Sequence, residues 1–104
     1  MSLDLISSKE VLAYIRQGDA VVIDLREEAL FLKRHIPGAV CMPYDDFDED
    51  ASILKAYRIL ILCCERGSAS LQLGRRLSDR GYPVLSLVGG MEAWQGPTIS
   101  SECI

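Results

Sequence analysis

The chain has 104 residues, 49% hydrophobic and 25% charged, enough to bury a core in one domain spanning residues 1–104. A net charge of −4 excludes nucleic acid as a partner, because phosphate binding needs a basic face. The longest apolar run, Arg58 to Cys64, is far short of the ~20 residues that cross a bilayer, and no basic-then-apolar leader is present, so a cytoplasmic protein without a membrane partner is expected.

Met1-Ser2-Leu3 carries no fold argument and reads as an added remnant. Ser7 and Glu10 have the spacing of a capping box, and Val11, Leu12 and Ile15 then form a helical face that Gly18 ends. Ala20 to Leu25 is a short β-branched apolar run, which predicts a buried strand. Residues 27–34 read as a second helix, acidic at its start and basic at its end, stopping before Pro37. Ala39 to Met42 is a brief strand, and the acidic stretch from Asp45 to Asp50 leads into a weak helix ending near Ala56. Residues 58–63 form the most strand-like segment. A helix over 68–80, a turn at Gly81-Tyr82-Pro83 and a strand over 84–88 follow. Gly89-Gly90 opens a short helix at 91–94, and a loose tail is expected over 97–104. This alternation predicts an α/β fold of three layers, a mostly parallel central sheet of about five strands flanked by helices on both faces.

Four cysteines stand at 41, 63, 64 and 103 with no C-x-x-C spacing, and there is one histidine; no structural zinc site is expected. In the run Leu60-Ile61-Leu62-Cys63-Cys64-Glu65-Arg66-Gly67-Ser68-Ala69-Ser70, a buried strand passes through a glycine-containing loop into a helix. Ligands of open α/β sheets bind at the carboxyl ends of strands. Loop amides and a helix N-terminus there favour an anion, and so a thiolate. Side chains alternate along a strand, so Cys63 and Cys64 should face opposite ways. Cys63 reads as a core residue, as does Cys41, while position alone leaves Cys64 open between packing and chemistry.

Four motifs in order decide how this loop is read. Val21-Val22-Ile23-Asp24-Leu25-Arg26, His35-Ile36-Pro37-Gly38-Ala39, the loop Cys64 to Ala69 with glycine three residues after the cysteine, and Gly89-Gly90-Met91 followed by Trp94 together resemble the rhodanese homology domain over nearly the full chain. The resemblance implies that Cys64 is the catalytic nucleophile, which takes sulfur from a sulfane donor such as thiosulfate as a persulfide and passes it to a thiol or another nucleophile, without metal or organic cofactor. It implies that Glu65, Arg66, Gly67, Ser68 and Ala69 bind substrate, with Asp24, Arg26 and Ser70 in support. The loop carries six residues with no closing arginine, as in sulfur-handling members rather than the phosphatases that resemble them. Glu65 and Ala69 depart from the basic residues common at these two places.

Several roles stay open in the residues themselves. Arg66 either forks onto an anionic donor or stands solvated at the rim. Ser68 either lends a hydroxyl or caps the helix. Asp24 and Arg26 are expected to tie loops by an ion pair, His35 to make a structural hydrogen bond, and Trp94 to pack the last helix on the sheet. Cys103 could accept sulfur from Cys64 or pair between chains. Beside the sulfurtransferase stand two alternatives: a persulfide carrier serving a sulfur-relay protein, and a catalytically inert binding module.

Overall fold

In the computed structural model, which describes residues 3–101, the alternating segments build one five-stranded sheet. The strands are β1 (Asp4–Ile6), β2 (Ala20–Asp24), β3 (Val40–Cys41), β4 (Ile59–Cys63) and β5 (Val84–Leu87), and the helices are α1 (Ser8–Gln17), α2 (Glu28–Lys33) and α3 (Ser68–Asp79). Strand order is β1-β5-β4-β2-β3, every pair parallel. The expected three-layer α/β architecture is therefore the observed one.

Local chemistry sets the boundaries. Ser7 accepts from the Glu10 amide while the Glu10 carboxylate accepts from the Ser7 amide, a complete capping box. Gly18 closes α1 at φ 80, a left-handed conformation that suits glycine. β4 lies at the centre with Leu60, Ile61, Leu62 and Cys63 fully buried. Its alternate side chains enter two separate clusters. Leu60, Leu62 and Cys64 pack with Leu73 and Leu77 of α3, whereas Ile61 and Cys63 pack with Val11 of α1, Met91 and Trp94. Each such buried Leu or Ile contributes about 1.5–3 kcal/mol against leaving it in water.

The structure corrects four expectations. The edge strand β1 went unforeseen; three residues beginning with an aspartate give too short a pattern to read. The weak helix expected between the acidic stretch and Ala56 is a single 3₁₀ turn, Ser52–Lys55. The acidic stretch before it holds another, Tyr44–Asp46, and a turn in which the Asp48 carboxylate accepts from the Asp50 amide at 2.9 Å. Leu3, set aside in the sequence, packs against the α3-side core. The tail is docked as far as residue 101. Ile99 exchanges two backbone hydrogen bonds with His35 at 2.9 and 3.0 Å, the Ser101 amide donates to the Leu32 carbonyl at 2.8 Å, and Trp94 Nε1 donates to the Pro97 carbonyl at 3.0 Å. Cys103 lies outside the described residues. Among those residues no helix is long and apolar enough to cross a membrane.

Candidate active site

β4 delivers the chain to the carboxyl edge of the sheet, and Cys64 is the first residue beyond it. Two backbone hydrogen bonds then fix the loop from outside. The Met91 amide donates to the Cys64 carbonyl at 2.7 Å, and the Glu92 amide to the Glu65 carbonyl at 2.9 Å. With no cis peptide bond among the described residues, each pinned carbonyl turns its peptide N–H the opposite way. The amides of Glu65 and Arg66 thus point away from residues 90–92 and into the space the loop encloses. Neither donates to a protein acceptor among the described residues. Gly67 follows at φ 107, a conformation available to glycine, and its amide donates to Cys64 Sγ at 3.0 Å. α3 begins at Ser68, so its N-terminal end stands behind the sulfur.

Beneath the sulfur lies a buried hydroxyl pair. Ser70 Oγ is 3.6 Å from Cys64 Sγ, donates to the Gly67 carbonyl at 3.0 Å, and stands 2.7 Å from Ser86 Oγ. Because the Ser70 proton goes to Gly67, Ser86 is the donor to Ser70. The Cys64 thiol donates to Ser70 Oγ. Once the proton is lost, the Gly67 amide and a rotated Ser70 hydroxyl are both within reach of the sulfur, an arrangement that stabilises negative charge there. Ser70 was expected to support the site; Ser86 was not singled out. Its signal was a serine inside the apolar strand 84–88, a polar group that had to find a buried partner.

The neighbouring cysteine lacks all of this. Cys63 is fully buried on the opposite face, and burial, then the Asp24 carboxylate, push its thiol well above the ordinary range. It is protonated at neutral pH. Cys41, expected in the core, is half-buried because β3 is an edge strand; its thiol lies 3.8 Å from the Arg26 carbonyl, and burial and Asp24 raise its pKa too.

Asp24 and Arg26 form the ion pair the sequence suggested. The carboxylate is wholly buried and accepts from Arg26 Nη2 at 2.8 Å, from Nε at 3.0 Å and from the Arg26 amide at 3.0 Å. Arg26 Nη2 also donates to the Arg34 carbonyl at 2.6 Å, tying β2 to the end of α2. Desolvation opposes the guanidinium charge, yet the Asp24 contacts win and its pKa is raised. Asp24→Asn leaves that cation buried without its counter-charge, so a loss of about 3 kcal/mol is expected in denaturant unfolding. His35 makes the structural hydrogen bond expected of it, Nδ1 donating to the Phe31 carbonyl at 2.7 Å, with the ring stacked on Phe31 at 4.0 Å.

The rim residues divide. Glu65, Arg66 and Ser68 are exposed, and Ala69 is half-buried against the α3-side core. Ser68 makes no capping hydrogen bond, since Gly67 occupies the cap position. Arg66 turns along the surface, with Nε 3.2 Å from Glu92 Oε2. The contribution of residues 90–92, which hold the loop by backbone alone, was beyond reach of side-chain reasoning.

A family model described as a rhodanese-like domain matches residues 7–97, and the chain belongs to that family. It is similar to YtwF of Bacillus subtilis (strain 168), named provisionally as a sulfurtransferase, with 30% identity over 77 residues, 74% of this chain and 75% of that one. YrkF of the same organism, named provisionally as a sulfur carrier protein, is 31% identical over 78 residues, 74% of this chain but 42% of its own length. The thiosulfate sulfurtransferase GlpE of Coxiella burnetii (strain RSA 331 / Henzerling II) is 25% identical over 98 residues, 93% of this chain and 92% of that one. The crystal structure of a rhodanese-related protein from Thermoplasma volcanium superposes with a TM-score of 0.80 at 22% identity, covering 95% of this chain and 99% of that one; this likeness speaks to fold alone.

Proposed function

We propose that this rhodanese-like domain is a sulfurtransferase that carries sulfur as a persulfide on Cys64. The observation that supports it most is the 3.0 Å hydrogen bond from the Gly67 amide to Cys64 Sγ, in a loop whose Glu65 and Arg66 amides also face inward. The Cys64 thiolate attacks the sulfane sulfur of a donor such as thiosulfate. A Cys64 S–S bond forms, the donor's S–S bond breaks, and sulfite leaves with the electron pair. The terminal sulfur of Cys64–S–S⁻ then lies where the inward amides can hold its charge, as donors aimed at developing charge do in catalysis generally. An acceptor thiolate, on a small molecule or a sulfur-relay protein, attacks that outer sulfur, and the bonding pair returns to Cys64 Sγ.

Intact mass spectrometry of the protein mixed with thiosulfate or polysulfide tests this directly. A gain of one sulfur atom that an added thiol removes supports the reading. No gain from either donor leaves an inert binding module as the better account.

One observation favours a second reading, a persulfide carrier loaded by a protein partner. Arg66 is engaged with Glu92, and Glu65 stands beside it, so the rim sums to −1 where a thiosulfate dianion must approach. At ~8 Å in water, that charge opposes a dianion by about 1 kcal/mol. Glu92→Gln should therefore raise kcat/KM for thiosulfate roughly five-fold, and the gain should shrink as salt is added. An unchanged kcat/KM would remove the electrostatic case for the carrier.

A further inference from the structure

Arg34 stands at the end of α2, beside the motif that begins at His35, and the sequence offers it no part in the chemistry. Its backbone and side chain nonetheless connect the buried ion pair to the Cys64 loop. The Arg34 carbonyl accepts from Arg26 Nη2 at 2.6 Å, so Asp24 and Arg26 fix its position from the sheet side. From there Arg34 Nη2 reaches across to the Met91 carbonyl, donating at 2.9 Å. That carbonyl shares one peptide unit with the Glu92 N–H, which donates to the Glu65 carbonyl at 2.9 Å. The Glu65 carbonyl in turn shares a trans peptide unit with the Arg66 N–H, which that bond turns away from residues 91–92, next to the Gly67 amide that donates to Cys64 Sγ at 3.0 Å.

We infer that Arg34 is a positioning residue for the Cys64 loop: its guanidinium holds and polarises the Met91–Glu92 peptide, which fixes the Glu65 carbonyl and aims the Arg66 amide at the transferred sulfur. Two features support a directed role over an incidental surface contact. A charged donor at one end of a peptide unit strengthens the hydrogen bond its N–H makes at the other, because such chains polarise one another. Arg34 also lies 57 residues from Met91 in sequence, and both ends of the link are held independently, by Arg26 on one side and by the loop on the other. This inference rests on the reading that Cys64 carries sulfur, but its structural half can be tested apart from it.

The experiment compares wild type, Arg34→Ala and Arg34→Lys in two measurements. Amide hydrogen exchange by NMR reads the link without reference to activity: protection of the Glu92 amide should fall about ten-fold in Arg34→Ala and recover in Arg34→Lys. Single-turnover sulfur loading from polysulfide should slow about ten-fold in Arg34→Ala, with the donor concentration for half-maximal rate little changed and Arg34→Lys again restoring it. Unchanged Glu92 protection in Arg34→Ala overturns the inference, as does lowered protection with normal loading. A slow variant that lysine does not rescue also overturns it. If wild type loads no sulfur at all while the exchange results hold, the link stands and the sulfurtransferase reading is what fails.

Discussion

Cys64→Ser is expected to end sulfur loading, with no gain of a sulfur atom and no transfer at any donor concentration, while Cys63→Ala keeps both. Serine at 64 fits the site. It can accept the Gly67 amide that now bonds Sγ at 3.0 Å, and it can donate to Ser70 as the thiol does. Folding should therefore survive, with a melting temperature within a few degrees of wild type. What is lost is the nucleophile, because a hydroxyl without an adjacent base does not ionise at neutral pH, and no histidine or lysine lies at the loop. Cys63→Ala removes a buried sulfur from the α1-side core, at a cost of about 1 kcal/mol, and touches nothing in the loop. Intact mass after polysulfide treatment, with Cys41→Ser as a further control, decides the matter. Loading that persists in Cys64→Ser but disappears in Cys63→Ala would overturn the assignment.

The choice of Cys64 as nucleophile came from the family resemblance, through the glycine three residues after it. Alternation alone predicted that Cys63 and Cys64 face opposite ways, and the two residues do enter opposite clusters. The buried strands were legible for the same reason: β2 and β4 are β-branched or leucine runs bounded by turn residues, and nothing in the tertiary structure competes with that signal. α1 announced itself through its capping box. The segment before Ala56 was legible as a weak helix but not as a 3₁₀ turn, since its residues are compatible with either. The docked tail was illegible for another reason. Its contacts to His35 and Leu32 are mainly backbone hydrogen bonds, which most side chains would allow. The same holds at the candidate site. Cys64, Gly67 and Ser70 stand out as residue types, whereas the Met91 and Glu92 amides that orient the loop leave no mark on composition, and Arg34 is an ordinary helix-end cation until its reach across to Met91 is measured.

Gly90→Ala should damage both stability and sulfur loading. Gly90 adopts φ 64 and ψ −159, a combination near the region that only glycine enters without strain of roughly 1–3 kcal/mol. A Cβ there would strike the Cys64 carbonyl oxygen and come within 2.7 Å of the Glu65 carbonyl carbon and oxygen. These are backbone atoms of the active loop, so no side chain can swing aside to make room. Relief requires the 89–91 turn and the loop to separate, which breaks the Met91-to-Cys64 and Glu92-to-Glu65 hydrogen bonds at about 1 kcal/mol each. The expected total is about 3–5 kcal/mol of stability, a large share of the roughly 5–15 kcal/mol a domain possesses, together with a fall in sulfur loading of at least ~100-fold, since the inward amides lose their aim. Gly18→Ala is the matched control. It also has a positive φ, 80°, but in the milder αL region and with open space around its Cβ, so about 1 kcal/mol should be lost and loading should be untouched. Denaturant midpoints and single-turnover loading for the two variants separate torsional strain from collision. Equal losses of stability, with loading retained in both, would mean that residues 90–92 merely touch the loop; the predicted gap between them would mean that the turn after β5 holds the sulfur site in shape.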